Sequence, residues 1–260
     1  MDSKEHFSLW TRDFIFTTFA NLFLFFSFQM LIPTLPVFTE QLGGDEFDVG
    51  LVIGIFTISA LIIRPFAGKA LDTLSKRMIL FVGLLIFILS VLGYHLVTTV
   101  FLILVLRFIH GIGWGITSTA FGTIVSDIVP AKRRGEGMGY YGLSSTLGMA
   151  IAPLIGIWLM INQGFLTLFY VSSLLAVVSL LFIQIISFSP SKETEKKTDE
   201  AFWNNLFEKK ALFPSLLVML FAVTYGGIVS FITLFGKEVN IDNVGWFFLA
   251  NALMVMVSRP

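Results

Sequence analysis

Cysteine is absent from this 260-residue chain, and charge of either sign is scarce: 17 Lys and Arg against 17 Asp and Glu, 13% of the sequence. Without cysteine there is no disulfide framework and no thiolate metal site. A soluble domain carries about 25% charged residues, so these charges are too few to coat a globule. The formal net charge of zero leaves no basic surplus, and no nucleic-acid partner is expected. The three His, His6, His95 and His110, fall on different segments, and no H-E-x-x-H, G-x-S-x-G or phosphate-loop pattern occurs. No metal, no cofactor and no enzymatic activity is therefore expected. Apolar side chains are what remains. They make up 56% of the chain, 29 of them Phe, and the mean hydropathy is +0.87.

The apolar residues are gathered into runs. About 20 residues at 1.5 Å each cross the roughly 30 Å of a bilayer core. Eight runs approach that length: 14–37, 49–67, 78–96, 100–125, 138–161, 165–188, 212–235 and 244–258. Hydrocarbon offers no hydrogen-bond partner to an open backbone, so each run is expected to be a helix. The predicted fold is an all-α membrane protein with eight transmembrane helices, in contact with a lipid bilayer. No small-residue cleavage site follows the first run, which is expected to stay in the mature chain. The lack of a long transit-type leader favours a bacterial or archaeal plasma membrane.

Lys and Arg orient the runs. Lys4 and Arg12 precede the first, Lys69, Lys76 and Arg77 follow the second, and Lys132, Arg133 and Arg134 follow the fourth. The intervening connections carry Glu40, Asp45, Glu46 and Asp48, or no charge at all; Lys237 is the one base in an outer loop. The N-terminus is thus predicted to be cytoplasmic. The charged stretch 189–210 reads as a cytoplasmic linker between a six-helix bundle, 1–188, and two further helices, 211–260. Across it, Val49-Gly50 and Arg64-Pro65 recur as Val244-Gly245 and Arg259-Pro260 at the same spacing. Repeated halves are a common construction of secondary transporters. The second half would then be incomplete, the chain being truncated from twelve helices.

Three motifs sharpen this. The segment after the second run reads Gly68-Lys-Ala-Leu-Asp72-Thr-Leu-Ser-Lys76-Arg77. Gly68 would let a helix end pack closely, Asp72 would serve as one side of a latch, and Lys76 and Arg77 would hold the loop in the cytoplasm. The fourth run contains Arg107-Phe-Ile-His110-Gly111-Ile-Gly113-Trp-Gly115. An Arg inside a span costs about 2.5–3.5 kcal/mol on insertion scales, so it must face a wet cavity or a partner. His110 titrates near neutral pH in its ordinary state. The fifth run carries Gly139, Gly148, Ala152-Pro153 and Gly156, a small-residue ladder with a proline that removes one backbone hydrogen bond.

In this order, on these runs, the motifs resemble those of the major facilitator superfamily. The first resembles its signature loop, with Thr73 for the usual base and Ser75 for the usual second Gly. The second resembles its Arg-x-x-Gln-Gly pattern, associated with proton transfer, with His110 for Gln. The third resembles the antiporter motif of drug–proton exchangers, with Ala152 and Ile157 for two of its glycines. The resemblance implies two six-helix bundles around a central cavity and a monomer when full length. It implies transport of a small-molecule substrate by alternating access, with protons as the partner and efflux as the direction. Arg107 and His110 are then the transport and proton candidates, and Asn21, Gln29 and Tyr225 the substrate-cavity candidates. No Asp or Glu lies near the middle of any run, which weighs against a carboxylate-driven exchanger. A sugar or organic-acid uptake permease and a non-functional truncated transporter are the alternatives.

Overall fold

The computed structural model describes residues 8–187, 209–241 and 244–258. Residues 189–208 of the expected linker and the Arg259-Pro260 repeat lie outside the described residues, and the linker's last two residues, Lys209 and Lys210, already belong to a helix. Every regular element described is helical: α1 (Arg12–Leu31), α2 (Leu35–Gln41), α3 (Glu46–Thr73), α4 (Lys76–Gly93), α5 (Val100–Ile128), α6 (Arg134–Gln184), α7 (Lys209–Glu238) and α8 (Gly245–Ser258).

Local chemistry sets the boundaries. Thr11 and Thr99 cap α1 and α5 by accepting from Phe14 N (3.2 Å) and Leu102 N (3.3 Å). Asp45 and Asp48 form a reciprocal capping box at the start of α3. Pro33 stands between α1 and α2, Pro36 sits in the first turn of α2, where no backbone donor is needed, and Pro130 stands between α5 and α6.

Six helices among the described residues are long and apolar enough to cross a membrane, not the eight expected. Two features account for the difference. The run that closes the chain forms α8, only 14 residues long. The fifth and sixth runs are two helical limbs, together α6, that meet at Gly164 (φ 82°, ψ 172°) with no loop between them. That backbone conformation is open to glycine and strained for other residues.

Contacts with α1 show that α6 doubles back there. In its first limb, Ser144 meets Asn21, Gly148 lies against Phe25 and Gly156 against Met30. In its second limb the order inverts: Ser172 meets Ser27, Ser179 meets Ala20, and Ser187, just beyond, meets Asp13. Helix α1 is thus held between two antiparallel limbs. A second layer pairs α5 with α3 and α4, and one core of Leu, Ile, Val and Phe side chains joins the layers.

The bundle has two unlike ends. At one end lie Arg12, Lys76, Arg77 and Lys132 to Arg134; at the other lie Glu40, Asp45, Glu46 and Asp48. Helices α7 and α8 join the bundle near the acidic end. There Val229 and Phe248 pack with Ile157, and Lys237 Nζ pairs with Glu40 Oε2 at 2.7 Å. Toward the basic end, α7 is exposed from Leu212 to Tyr225.

Candidate functional site

Arg107 is the eighth residue of α5, about 10 Å along the helix from its acidic-end start. It is 3% exposed. Its Nε donates to the Val52 carbonyl of α3 at 2.9 Å, and its guanidinium carbon sits 4.2 Å from the centre of the Phe56 ring. A desolvated cation–π contact is worth about 2 kcal/mol or more, and a hydrogen bond from a charged donor about 1.5–3 kcal/mol. Together these match the insertion cost, so no carboxylate is needed to hold the charge. Of the two options open to a membrane Arg, cavity or partner, the structure takes the partner.

His110 follows one turn later and is fully buried. Its Nδ1 is 2.9 Å from the Tyr94 hydroxyl, and that hydroxyl also interacts with Arg107. The imidazole is walled by Phe87 (ring centres 4.4 Å apart), Phe56 (5.2 Å) and Phe28 (6.3 Å). Trp114 closes this aromatic cluster, stacked on Phe28 at 4.0 Å. Two polar atoms here are buried without a partner among the described residues: Arg107 Nη1 and His110 Nε2. Arg107, Tyr94 and His110 therefore form a buried polar cluster in which two nitrogens are left unused.

Sequence reasoning found Arg107 and His110 and missed Tyr94 and Phe56. A signal for Tyr94 existed. A phenol near the end of an apolar run, when buried, needs a partner for its hydroxyl. Phe56 carried none, because one Phe among 29 is not distinguished by its type.

The glycines of α5 are contact points. A Cβ on Gly113 would lie 2.7 Å from the Phe87 backbone nitrogen, and one on Gly111 would collide with Ser59 and the Phe56 carbonyl. Gly148 and Gly156 do the same for α6 against α1, Gly156 facing the Met30 carbonyl at 2.6 Å. Gly139, from the same ladder, faces open space. Pro153 is buried in the first limb of α6.

The cavity candidates separate. Asn21 is fully buried, and its amide is engaged by α6: Nδ2 donates to Ser144 Oγ (2.8 Å) and Ser145 Oγ (3.0 Å), and Oδ1 accepts from the Tyr141 hydroxyl (2.9 Å). It ties two helices together. Gln29 is 6% exposed, and its side chain makes no hydrogen bond to any described residue. Tyr225 is half-exposed on α7, its hydroxyl accepting from Asn251 Nδ2 at 3.0 Å. No contact joins these three to Arg107.

The loop after α3 also differs from its expectation. Gly68 approaches no neighbour, and Asp72 is exposed without an ion pair among the described residues. Its two bases act instead. Lys76 Nζ pairs with Asp127 Oδ2 of α5 at 2.5 Å, and Arg77 Nη2 donates to Gln184 Oε1 of α6 at 2.8 Å. The start of α4 is thereby clasped to the ends of two other helices.

The sequence profile of the Major Facilitator Superfamily matches residues 17–260. The chain belongs to that superfamily. It is 26% identical over 225 residues to the quinolone resistance protein NorA of Staphylococcus aureus, a match covering 85% of this chain and 57% of NorA. An uncharacterized MFS-type transporter of Methanocaldococcus jannaschii is 26% identical over 266 residues, covering 98% of this chain and 67% of that protein. The chain thus spans little more than half of NorA's length. Among solved structures, the human organic anion transporter MFSD10 superposes with a TM-score of 0.70 at 18% identity, over 93% of this chain and 69% of that one. The nucleoside transporter NupG superposes with a TM-score of 0.71 at 15% identity, over 92% and 63%. These two likenesses establish the fold. The chain is a multi-pass membrane protein of the superfamily type.

Proposed function

We propose that this chain acts in a secondary active transporter that moves small solutes by alternating access, expelling drug-like or metabolite compounds in exchange for protons. The observation that carries the reading is the first limb of α6. Its Gly148 and Gly156 lie flush on α1, and its Pro153 leaves one backbone position without a donor. That combination suits a helix that rocks against its neighbour without unpacking. The similarity to NorA, named for quinolone resistance, favours efflux.

In this reading residues 1–188 form one bundle, 189–210 a cytoplasmic linker, and 211–260 the first two helices of a second bundle. The protein sits in the plasma membrane with its basic end, and so its N-terminus, in the cytoplasm. Arg107, Tyr94 and His110 handle protons: the spare ring nitrogen of His110 accepts or releases one, and the fixed Arg107 charge tunes how readily it does so. Gln29, buried without a hydrogen bond, is the cavity candidate best placed to meet a solute. Asp72, exposed near the end of α3, is the latch residue of the signature loop.

The test is accumulation of a fluorescent quinolone in liposomes holding the chain, with and without an imposed pH gradient. Gradient-dependent movement is expected. Arg107→Ala lowers the rate at least about tenfold, and Arg107→Lys does not restore it, because an ammonium lacks the planar fork that both donates to Val52 and stacks on Phe56. Movement indifferent to the gradient overturns the exchange reading, and unchanged rates in both variants remove Arg107 from the mechanism.

A further inference from the structure

Where α7 and α8 meet the bundle there is a cavity of about 220 Å³. Val37 of α2, Ile157 and Met160 of α6, Ile241 and Val244 supply apolar walls. Two polar groups reach it. Thr233 of α7 is 7% exposed, and its Oγ1 is buried with no hydrogen-bond partner among the described residues. Lys237, one turn on, stands at the rim, its charge already matched by Glu40.

We propose that this cavity is a binding site for a small neutral amphiphile, a phenol-sized ring or short chain carrying one hydroxyl or carbonyl. Size, polarity and charge each point there. An apolar cavity of about 150 Å³ accommodates benzene, so this one takes a substituted ring. The orphaned hydroxyl calls for one hydrogen-bonding group on the ligand, because a buried hydroxyl left unpaired has lost its water without replacement. The rim offers no net charge, since Lys237 and Glu40 neutralise each other; an anion or cation would have to break that pair. The walls come from both sides of the junction. On the alternating-access reading, opening the acidic end pulls them apart, so a bound ligand holds that end shut and slows transport.

The experiment is photolabelling of the whole chain in lipid nanodiscs with a diazirine analogue of 4-propylphenol, followed by peptide mass spectrometry. Labelling is expected within 157–161 and 233–244 and is displaced by 4-propylphenol but not by 4-propylbenzoate. Thr233→Val keeps the shape, removes the hydroxyl and weakens displacement about two- to tenfold. Ile157→Trp fills the space and abolishes labelling; Met160→Phe is the milder filling variant, used if the Trp protein is not monodisperse. Labelling spread over lipid-facing positions, or unmoved by the filling variants, means partition into lipid and overturns the site. Equal displacement by the benzoate overturns the preference for a neutral ligand. Because labelling is read without transport, a failure of the exchange reading leaves this result standing.

Discussion

Helices α1 and α7 are nearly alike as sequences and unlike as structures. The stretch 12–41, which holds α1, and α7 are both apolar enough to cross a membrane, yet half of the most apolar part of the first is buried inside the protein and only 17% of the second. Apolarity places both in a membrane and is silent on which surface meets protein. The difference lies in the small and polar residues. On α1, Asn21 and Ser27 are buried and bonded to α6, and Ala20 lends its carbonyl to Ser179. On α7, buried Ser230 and Thr233 are confined to the acidic-end half, while Gly226 and Gly227 face open space. In a bilayer a Leu does not distinguish lipid from another helix, whereas a serine or a glycine against a carbonyl does.

The comparison can be broken most forcefully at its glycines. Gly156→Leu drives a side chain into the Met30 carbonyl, so α1 must move away; an overpacking cost of about 1–3 kcal/mol lowers the thermal midpoint by roughly 3–10 °C. Gly227→Leu, which meets nothing, shifts it by less than about 1 °C. Equal shifts on heating the two purified variants would show that α7 is packed as closely as α1.

A smaller effect is expected at the amides. Asn21→Leu strips Tyr141 of its acceptor and costs about 1–3 kcal/mol, whereas Asn251→Leu removes an exposed bond to Tyr225 and costs under about 1 kcal/mol. Urea or thermal titrations in matched detergent rank the two, and the reverse order would refute the contrast.

The smallest differences belong to the ion pairs. Lys76→Met and Lys237→Met each cost about 0–1 kcal/mol. Lys76 is the larger because its side chain is 22% exposed against 62% for Lys237. Raising the salt from about 0.1 to 1 M should erase more of the Lys237 contribution than of the Lys76 contribution. Unfolding curves at the two salt concentrations check this.

Much of the fold was legible because a bilayer imposes long apolar stretches. The turn near 97–99 fell where the chain leaves the short 94–96 turn and starts α5. The alternation of basic and acidic connections matches the two unlike ends of the bundle. The count differed, since two runs meet at Gly164 with no loop between them and α8 is short. At the site, Arg107 and His110 stood out because charge and titratable nitrogen are rare in apolar runs. Their partners did not, because the rotation of one helix against another decides which Phe meets Arg107. Asn21 illustrates the same limit: its polarity was visible, but its three bonds to α6 depend on a limb some 120 residues away. Gly68 and Asp72 show the converse, motif residues that meet no side chain of another described helix.

Gly164 has a consequence for how the protein can be handled. With a single residue as the whole connection between the limbs, there is no slack at that crest. Neither limb can slide along α1 unless the other follows, so the pair must shift as one clamp. An epitope or protease site inserted there would pry the clamp apart, whereas the same insertion beside Thr99 would only lengthen a turn.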